Sequence, residues 1–159
     1  MFIVELLKSL PKEGAIILGA AIPVTEVRAT VPLGIIYFKM PALNVIALSV
    51  IGNVLPVFPL LWFLNTLTER LRKIKFWDQF FEWLFSRTRA KSKLIADFEL
   101  IGLALFIGVP FPGTGVWTGV IAAYLLGLRW IPIFFCALAG SLIACLAMWL
   151  LSAGILRLF

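Results

Sequence analysis

Two ionisable residues stand two positions apart in a stretch that is otherwise almost wholly apolar. They are Glu26 and Arg28, within Pro23-Val-Thr-Glu26-Val-Arg28-Ala-Thr-Val-Pro32. A carboxylate can hold a cation or exchange a proton. A planar guanidinium can hold a phosphate through paired hydrogen bonds. The apolar run around them extends from 14 to 38, long enough to lie at membrane depth. Ionisable groups are expensive there and usually face a partner, a cavity or a transport route. Proline removes a backbone donor and breaks the helix around it. Broken helix plus buried charge is how many transporters build a binding site.

Two readings of the pair stay open. In one, Glu26 alternates between a proton and a substrate cation while Arg28 holds an anionic headgroup. In the other, the two form a structural ion pair that keeps the turn closed. Residues two apart in a helix need not face each other, so a direct bridge is not assured by spacing.

A second interrupted stretch is Pro110-Phe-Pro112-Gly113-Thr114-Gly115-Val-Trp-Thr118-Gly119, again inside an apolar run. Such a density of breakers is hard to reconcile with continuous helix. Pro23, Pro32, Pro110, Pro112, Gly113 and Gly115 are the expected break residues. The two glycines supply positive φ or close approach. Freed N–H groups at such a turn can also hold an anion. Thr25, Thr30, Thr114 and Thr118 either line a substrate or ion pathway or satisfy carbonyls freed by the breaks. Asn53 and Ser141 are polar points in apolar helices, suited to interhelical hydrogen bonding.

The elements that position these residues follow from composition. The chain is 62% hydrophobic and only 14% charged, with mean hydropathy +1.07. Soluble domains are about half apolar and about a quarter charged. An all-α, multi-pass integral protein of the cell membrane is expected, as one domain over 1–159. The net charge of +6 is not a nucleic-acid signal, because eight of the fourteen basic residues cluster between Arg70 and Lys93. That cluster marks a cytoplasmic loop. Glu5 precedes Lys8, and no signal-peptide pattern is expected at the N-terminus. Cys136 and Cys145 are nine residues apart, about 13–14 Å along a helix, too far for a disulfide. There is no histidine to activate a serine or hold a metal. No catalytic set, metal or cofactor is expected, and a membrane enzyme using Glu26 as base is the lesser alternative.

Four apolar segments appear, at about 14–38, 43–66, 99–127 and 131–156. The second and fourth read as plainer membrane helices. A basic, aromatic linker at 67–97 has apolar residues at Leu71, Ile74, Trp77, Phe81 and Leu84, with Phe85 widening the face. This fits an amphipathic interfacial helix or a helix packed on its own membrane domain. The two halves, 13–66 and 98–156, look like copies. Setting Pro23 on Pro110 places Glu26 on Gly113 and Arg28 on Gly115. One more residue of offset sets Gly52-Asn53 on Gly140-Ser141.

Two topologies compete. Re-entrant hairpins give each half one net crossing, and so inverted repeats. Four kinked spans keep Lys8, Lys12 and Arg157 on the linker's side, which charge bias favours.

Glu26-Val-Arg28-Ala-Thr-Val-Pro32-Leu-Gly-Ile35 followed by Val109-Pro-Phe-Pro-Gly-Thr-Gly-Val-Trp-Thr-Gly119 resembles the small multi-drug export protein family. That family is grouped with the DedA superfamily of VTT-domain proteins. The resemblance implies two facing re-entrant hairpins, each followed by a membrane helix. It also implies movement of a lipid, such as a polyprenyl phosphate, or of a small solute. The turn 110–119 lacks the arginines of the better-known DedA pattern, and Arg129 lies about ten residues beyond it. Proton coupling and paired-arginine phosphate recognition are therefore not carried over. The expected function is a transporter or lipid translocase. The alternatives are a small multidrug or cation exporter, a membrane enzyme or a structural membrane component. Expected partners are membrane lipids, an amphiphilic or lipid substrate and a second copy of the chain, with no nucleic acid.

Overall fold

The computed structural model describes residues 10–89, 93–111 and 113–158, with side chains described at 10–83, 99–111 and 113–154. Pro112 and Lys8 lie outside the described residues, and so do the side chains of Leu84, Phe85 and Arg157. Among the described residues all regular secondary structure is helical. In chain order the helices are α1 Lys12–Ala21, α2 Glu26–Pro32, α3 Ala42–Val54, α4 Val57–Leu71, α5 Lys75–Arg89, α6 Lys93–Gly108, α7 Val116–Leu125 and α8 Trp130–Leu158.

Proline and glycine punctuate this order. Pro11, Pro41 and Pro56 immediately precede α1, α3 and α4. The first N–H groups of a helix have no intrahelical partner, so a proline at the boundary forfeits little. Gly127, at φ 72°, ends α7. Its N–H donates to Tyr124 O at 2.9 Å, and the Leu128 N–H donates to Ala123 O at 3.1 Å. That is a Schellman stop, which needs a left-handed residue.

The first interruption is shorter than the sequence suggests. Helix α2 begins at Glu26, so only Ile22–Thr25 turns, and Arg28 and Thr30 are helical. Pro32 is not a break. It lies inside continuous helix, and Leu33–Tyr37 widens into a π-helical turn. There the Phe38 N–H donates to Leu33 O at 3.0 Å, five residues back. The second segment also differs from the expected plain helix. It divides at Leu55–Pro56 into α3 and α4, because Pro56 cannot donate into the preceding turn.

In each half the arms on either side of the turn lie side by side. Lys12 Nζ, at the start of α1, lies 3.5 Å from Phe38 O, 26 residues on. A Cβ built on Gly34 would lie 3.2 Å from Ile16 Cδ1. In the second half, a Cβ on Gly119 of α7 would lie 2.8 Å from Ile107 Cδ1 and 3.6 Å from Leu103 Cδ1, both on α6. Arms running end to end through a kink would separate these residues by about 1.5 Å per intervening position.

Helices α3 and α8 pack together at the centre. Helix α1 lies on α3 and α6 on α8, while α2 crosses to α8 and α7 to α4. The close approaches occur at glycines. Gly52 of α3 meets the Ile17 carbonyl and Ala20 of α1, and Gly140 of α8 meets Ile107 and the Ala104 carbonyl of α6. Small residues at such crossings let backbones approach where lipid supplies no hydrophobic drive. Val27, Val31, Val45, Leu61, Ile107 and Ile133 fill the core between them.

Helix α5 is tied at its start. Arg72 Nε donates to Asp78 Oδ1 at 2.8 Å, and Arg72 Nη2 pairs with Glu82. The Asp78 hydrogen bond raises the Arg72 pKa above its ordinary value. Phe76, Trp77, Phe80 and Trp83 are exposed along α5, whereas Phe81 is buried.

Candidate functional site

The tips of the two interrupted segments meet. Arg28, on α2, donates through Nη2 to the Thr114 carbonyl in the second turn, and the same nitrogen lies 3.3 Å from Thr114 Oγ1. Glu26 opens α2 at φ 43°, a left-handed conformation uncommon for a residue with a side chain. Its carboxylate sits against Gly115 at the N-terminus of α7, beside the Trp117 backbone N–H. A helix N-terminus has unpartnered N–H groups and a favourable dipole, so a carboxylate is stabilised there. The Trp117 indole closes the contact from the other side, as Nε1 donates to Ala21 O at 3.2 Å. Two side chains of the first turn thus clasp the backbone of the second.

Glu26 and Arg28 also approach each other, with Nη2 to Oε2 at 3.6 Å. The carboxylate side chain is 6% exposed and the guanidinium 27%. The pair is therefore not closed on itself. Each partner has its own anchor on the second turn, and the guanidinium keeps an open side.

Gly115 makes this fit possible. Its φ is 132°, and a Cβ there would lie 2.7 Å from Glu26 Oε1 and closer still to Oε2. Gly113, at φ 91°, has open space where its Cβ would be. Both glycines adopt positive φ, but only Gly115 is also pressed against another group. Pro23 and Pro110 lie within their turns, outside regular helix.

The threonines separate. Thr114 faces Arg28 and organises its own turn, with Oγ1 at 2.7 Å from both the Val109 and Phe111 carbonyls. Thr25 Oγ1 donates to Gly19 O. Thr118 Oγ1 donates to Gly115 O at 3.3 Å. Thr30 is buried, bonded to Glu26 O at 3.0 Å and to Ser49 Oγ at 3.1 Å. These three satisfy carbonyls near the breaks, and only Thr114 joins the clasp. Asn53 Nδ2 donates to Ser141 Oγ at 3.0 Å, joining α3 to α8. Cys136 and Cys145 are both buried and free. Among the described residues no group of His, Cys, Asp and Glu could hold a metal ion.

The family described as “Putative small multi-drug export protein” matches residues 26–147. The chain belongs to that family. The matched stretch begins at Glu26 and reaches into α8, so both sides of the clasp fall within the small multi-drug export region. Comparisons with curated proteins and with solved structures give no match. Two helical stretches, Ala42–Leu71 and Trp130–Gly154, are long and apolar enough to cross a membrane. With the family, they identify a membrane protein.

Sequence reasoning did not find Trp117 or Ser49 as members of this region. Trp117 contributes a backbone N–H, which any residue type carries, and an indole N–H that reaches Ala21 O. Its position two residues after Gly115 was the available signal.

Proposed function

We propose that this small multi-drug export protein is a multi-pass membrane transporter whose cargo passes between two re-entrant hairpins built as inverted repeats. The observation that carries this is the clasp, in which Arg28 and Glu26 of one interrupted segment hold the backbone turn of the other. Helix α1 has ten residues and rises about 15 Å, half of a bilayer's hydrocarbon. Side-by-side arms of that length suit segments that enter, turn at mid-depth and return.

The placement of chain ends supports the same orientation. Asn65, Thr68, Glu69 and Arg72 of the α4 end line one cavity of about 420 Å³ with Tyr124, Gly127 and Leu128. The end of α7 therefore lies beside the end of α4, which supports placing it on the basic linker's side of the membrane. In this orientation nine of the fourteen basic residues fall on the linker's side, fewer than the eleven that four kinked spans would place there, so charge bias is not what supports it. The exchange of packing partners between halves, and the meeting of Asn53 with Ser141, suit a two-fold axis through α3 and α8.

The tips themselves point to a water-filled route. Val24 is 86% exposed and Phe111 64% exposed. Irregular backbone at membrane depth is tolerated only where protein covers it or water reaches it. Opening of the clasp would join that water to the other side. The half-open guanidinium suits an amphiphile or lipid bearing phosphate, which is the DedA-type reading. The family description favours a second reading, export of small drug-like solutes, with Glu26 holding a cationic cargo.

The cargo leaves chemically unchanged, so the protein is not an enzyme in this reading. Purified protein in liposomes should move labelled lipid or a cationic dye and return it intact, and Arg28→Gln should stop the movement. Equal flux in Arg28→Gln liposomes would remove the clasp from the transport route.

A further inference from the structure

A third arginine has no such anchor. Arg129 precedes α8 and is exposed, and its guanidinium makes no ion pair or hydrogen bond among the described residues. Arg28 and Arg72, by contrast, are both engaged. Arg129, Trp130, Ile131 and Pro132 surround a space of about 580 Å³. Ile131 and Pro132 also line an apolar groove of about 400 Å³ that continues between α6 and α8, past Ile101, Ala104, Phe135 and Ala139. From 131 to 139 the groove follows α8 for about 12 Å. That is most of the depth of one leaflet.

We infer that this groove holds a phospholipid with an anionic headgroup, its phosphate on Arg129 and one acyl chain between α6 and α8. The apolar part runs along α8, which is long and apolar enough to cross a membrane, so an acyl chain suits it. Trp130 sits where an indole favours the headgroup boundary. The charge requirement comes from Arg129, and the cytoplasmic leaflet is the one rich in anionic lipid. The repeat offset that sets Asn53 on Ser141 also sets Pro41 against Arg129, so the other half offers no cation there. The site is thus one-sided. It is separate from the clasp, and it rests on the proposed orientation only for the choice of leaflet.

The test uses the full chain, delipidated in detergent and titrated with phosphatidylglycerol or phosphatidylcholine, with bound lipid counted by native mass spectrometry. One phosphatidylglycerol should be retained in preference to phosphatidylcholine. Arg129→Gln should weaken phosphatidylglycerol about fivefold, from about 1 kcal/mol per basic residue at a membrane surface, and leave phosphatidylcholine unchanged. Ala139→Phe, at an exposed position lining the groove, should displace both lipids. A wild-type chain without preference, or an Arg129→Gln chain that keeps it, would overturn the site. Displacement of the lipid by millimolar inorganic phosphate alone would overturn the lipid as occupant. Orientation is read separately, by an impermeant thiol reagent on Arg129→Cys in intact cells. Protection from outside supports the cytoplasmic leaflet. Labelling from outside sinks the orientation while the detergent result stands on its own.

Discussion

The two turns at the centre of the molecule do opposite jobs. The first, at Ile22–Thr25 and the start of α2, presents side chains, a carboxylate and a guanidinium. The second, at Val109–Gly115 and the start of α7, presents backbone, the Thr114 carbonyl and the Trp117 N–H. Charge on one side is matched by peptide dipoles on the other. A second set of charges was not needed, and the glycines that replace it let the backbone come close. This explains how two similar segments can share a plan and almost no residues.

Gly115 is where that division is most easily broken. A β-branched side chain there meets both an unfavourable φ and the Glu26 carboxylate. The left-handed backbone alone costs roughly 1–2 kcal/mol. Displacing a buried charge from its partners costs about 3–5 kcal/mol more. Gly115→Val should therefore yield little folded protein, read by fluorescence-detected size-exclusion and thermal unfolding. Gly113→Ala, into open space, should lose only the backbone part. Equal melting temperatures for the two variants would show that the carboxylate is not seated on Gly115.

The side-chain half comes next. Arg28→Gln removes a charged donor from the Thr114 carbonyl, worth about 1.5–3 kcal/mol. Glu26→Gln keeps an acceptor for the Trp117 N–H, so it should fold nearly as well as wild type. Thermal unfolding should rank Arg28→Gln below Glu26→Gln, with flux lost in both. The double change should be close to additive, because each residue has its own anchor. A double variant more stable than Arg28→Gln alone would mean that the contact at 3.6 Å, not the clasp, dominates.

Much of this was legible in residue types, and the illegible part has a physical cause. Runs of apolar residues and the positions of Pro23, Pro110 and Gly113 gave the segments and the turns. Pro32 misled, because the helix continues through it into a π-helical turn that no distinctive residue type marks. Pro56 was overlooked inside an apolar run of ordinary length, yet it divides α3 from α4. The clasp itself was half visible. Glu26 and Arg28 stood out as charges in an apolar run, but their partners are a carbonyl and an amide, which every residue carries. Thr30 shows the converse. A hydroxyl near the break left two readings open, a pathway or a freed carbonyl, and it bonds to Glu26 O and to Ser49, a partner nineteen residues away that spacing does not reveal.

The smallest effect tests whether the halves are related by a two-fold axis at all. Equivalent residues on such an axis must meet each other, and Asn53 meets Ser141 at 3.0 Å. Interhelical hydrogen bonds of this kind average about 0.6 kcal/mol, with a maximum of about 1.7. Asn53→Ala and Ser141→Ala should each lower stability by that order, with coupling in the double variant. A sharper form exchanges the two residues. Asn53→Ser alone leaves two short hydroxyls facing each other, and Ser141→Asn alone crowds two amides. If the positions are equivalent, Asn53→Ser with Ser141→Asn rebuilds the same bond from the opposite helix. The exchanged protein should then unfold closer to wild type than the sum of its single changes allows. Plain additivity of the two changes would mean that the contact is a local pairing between unrelated positions, and the repeat would lose its best single marker.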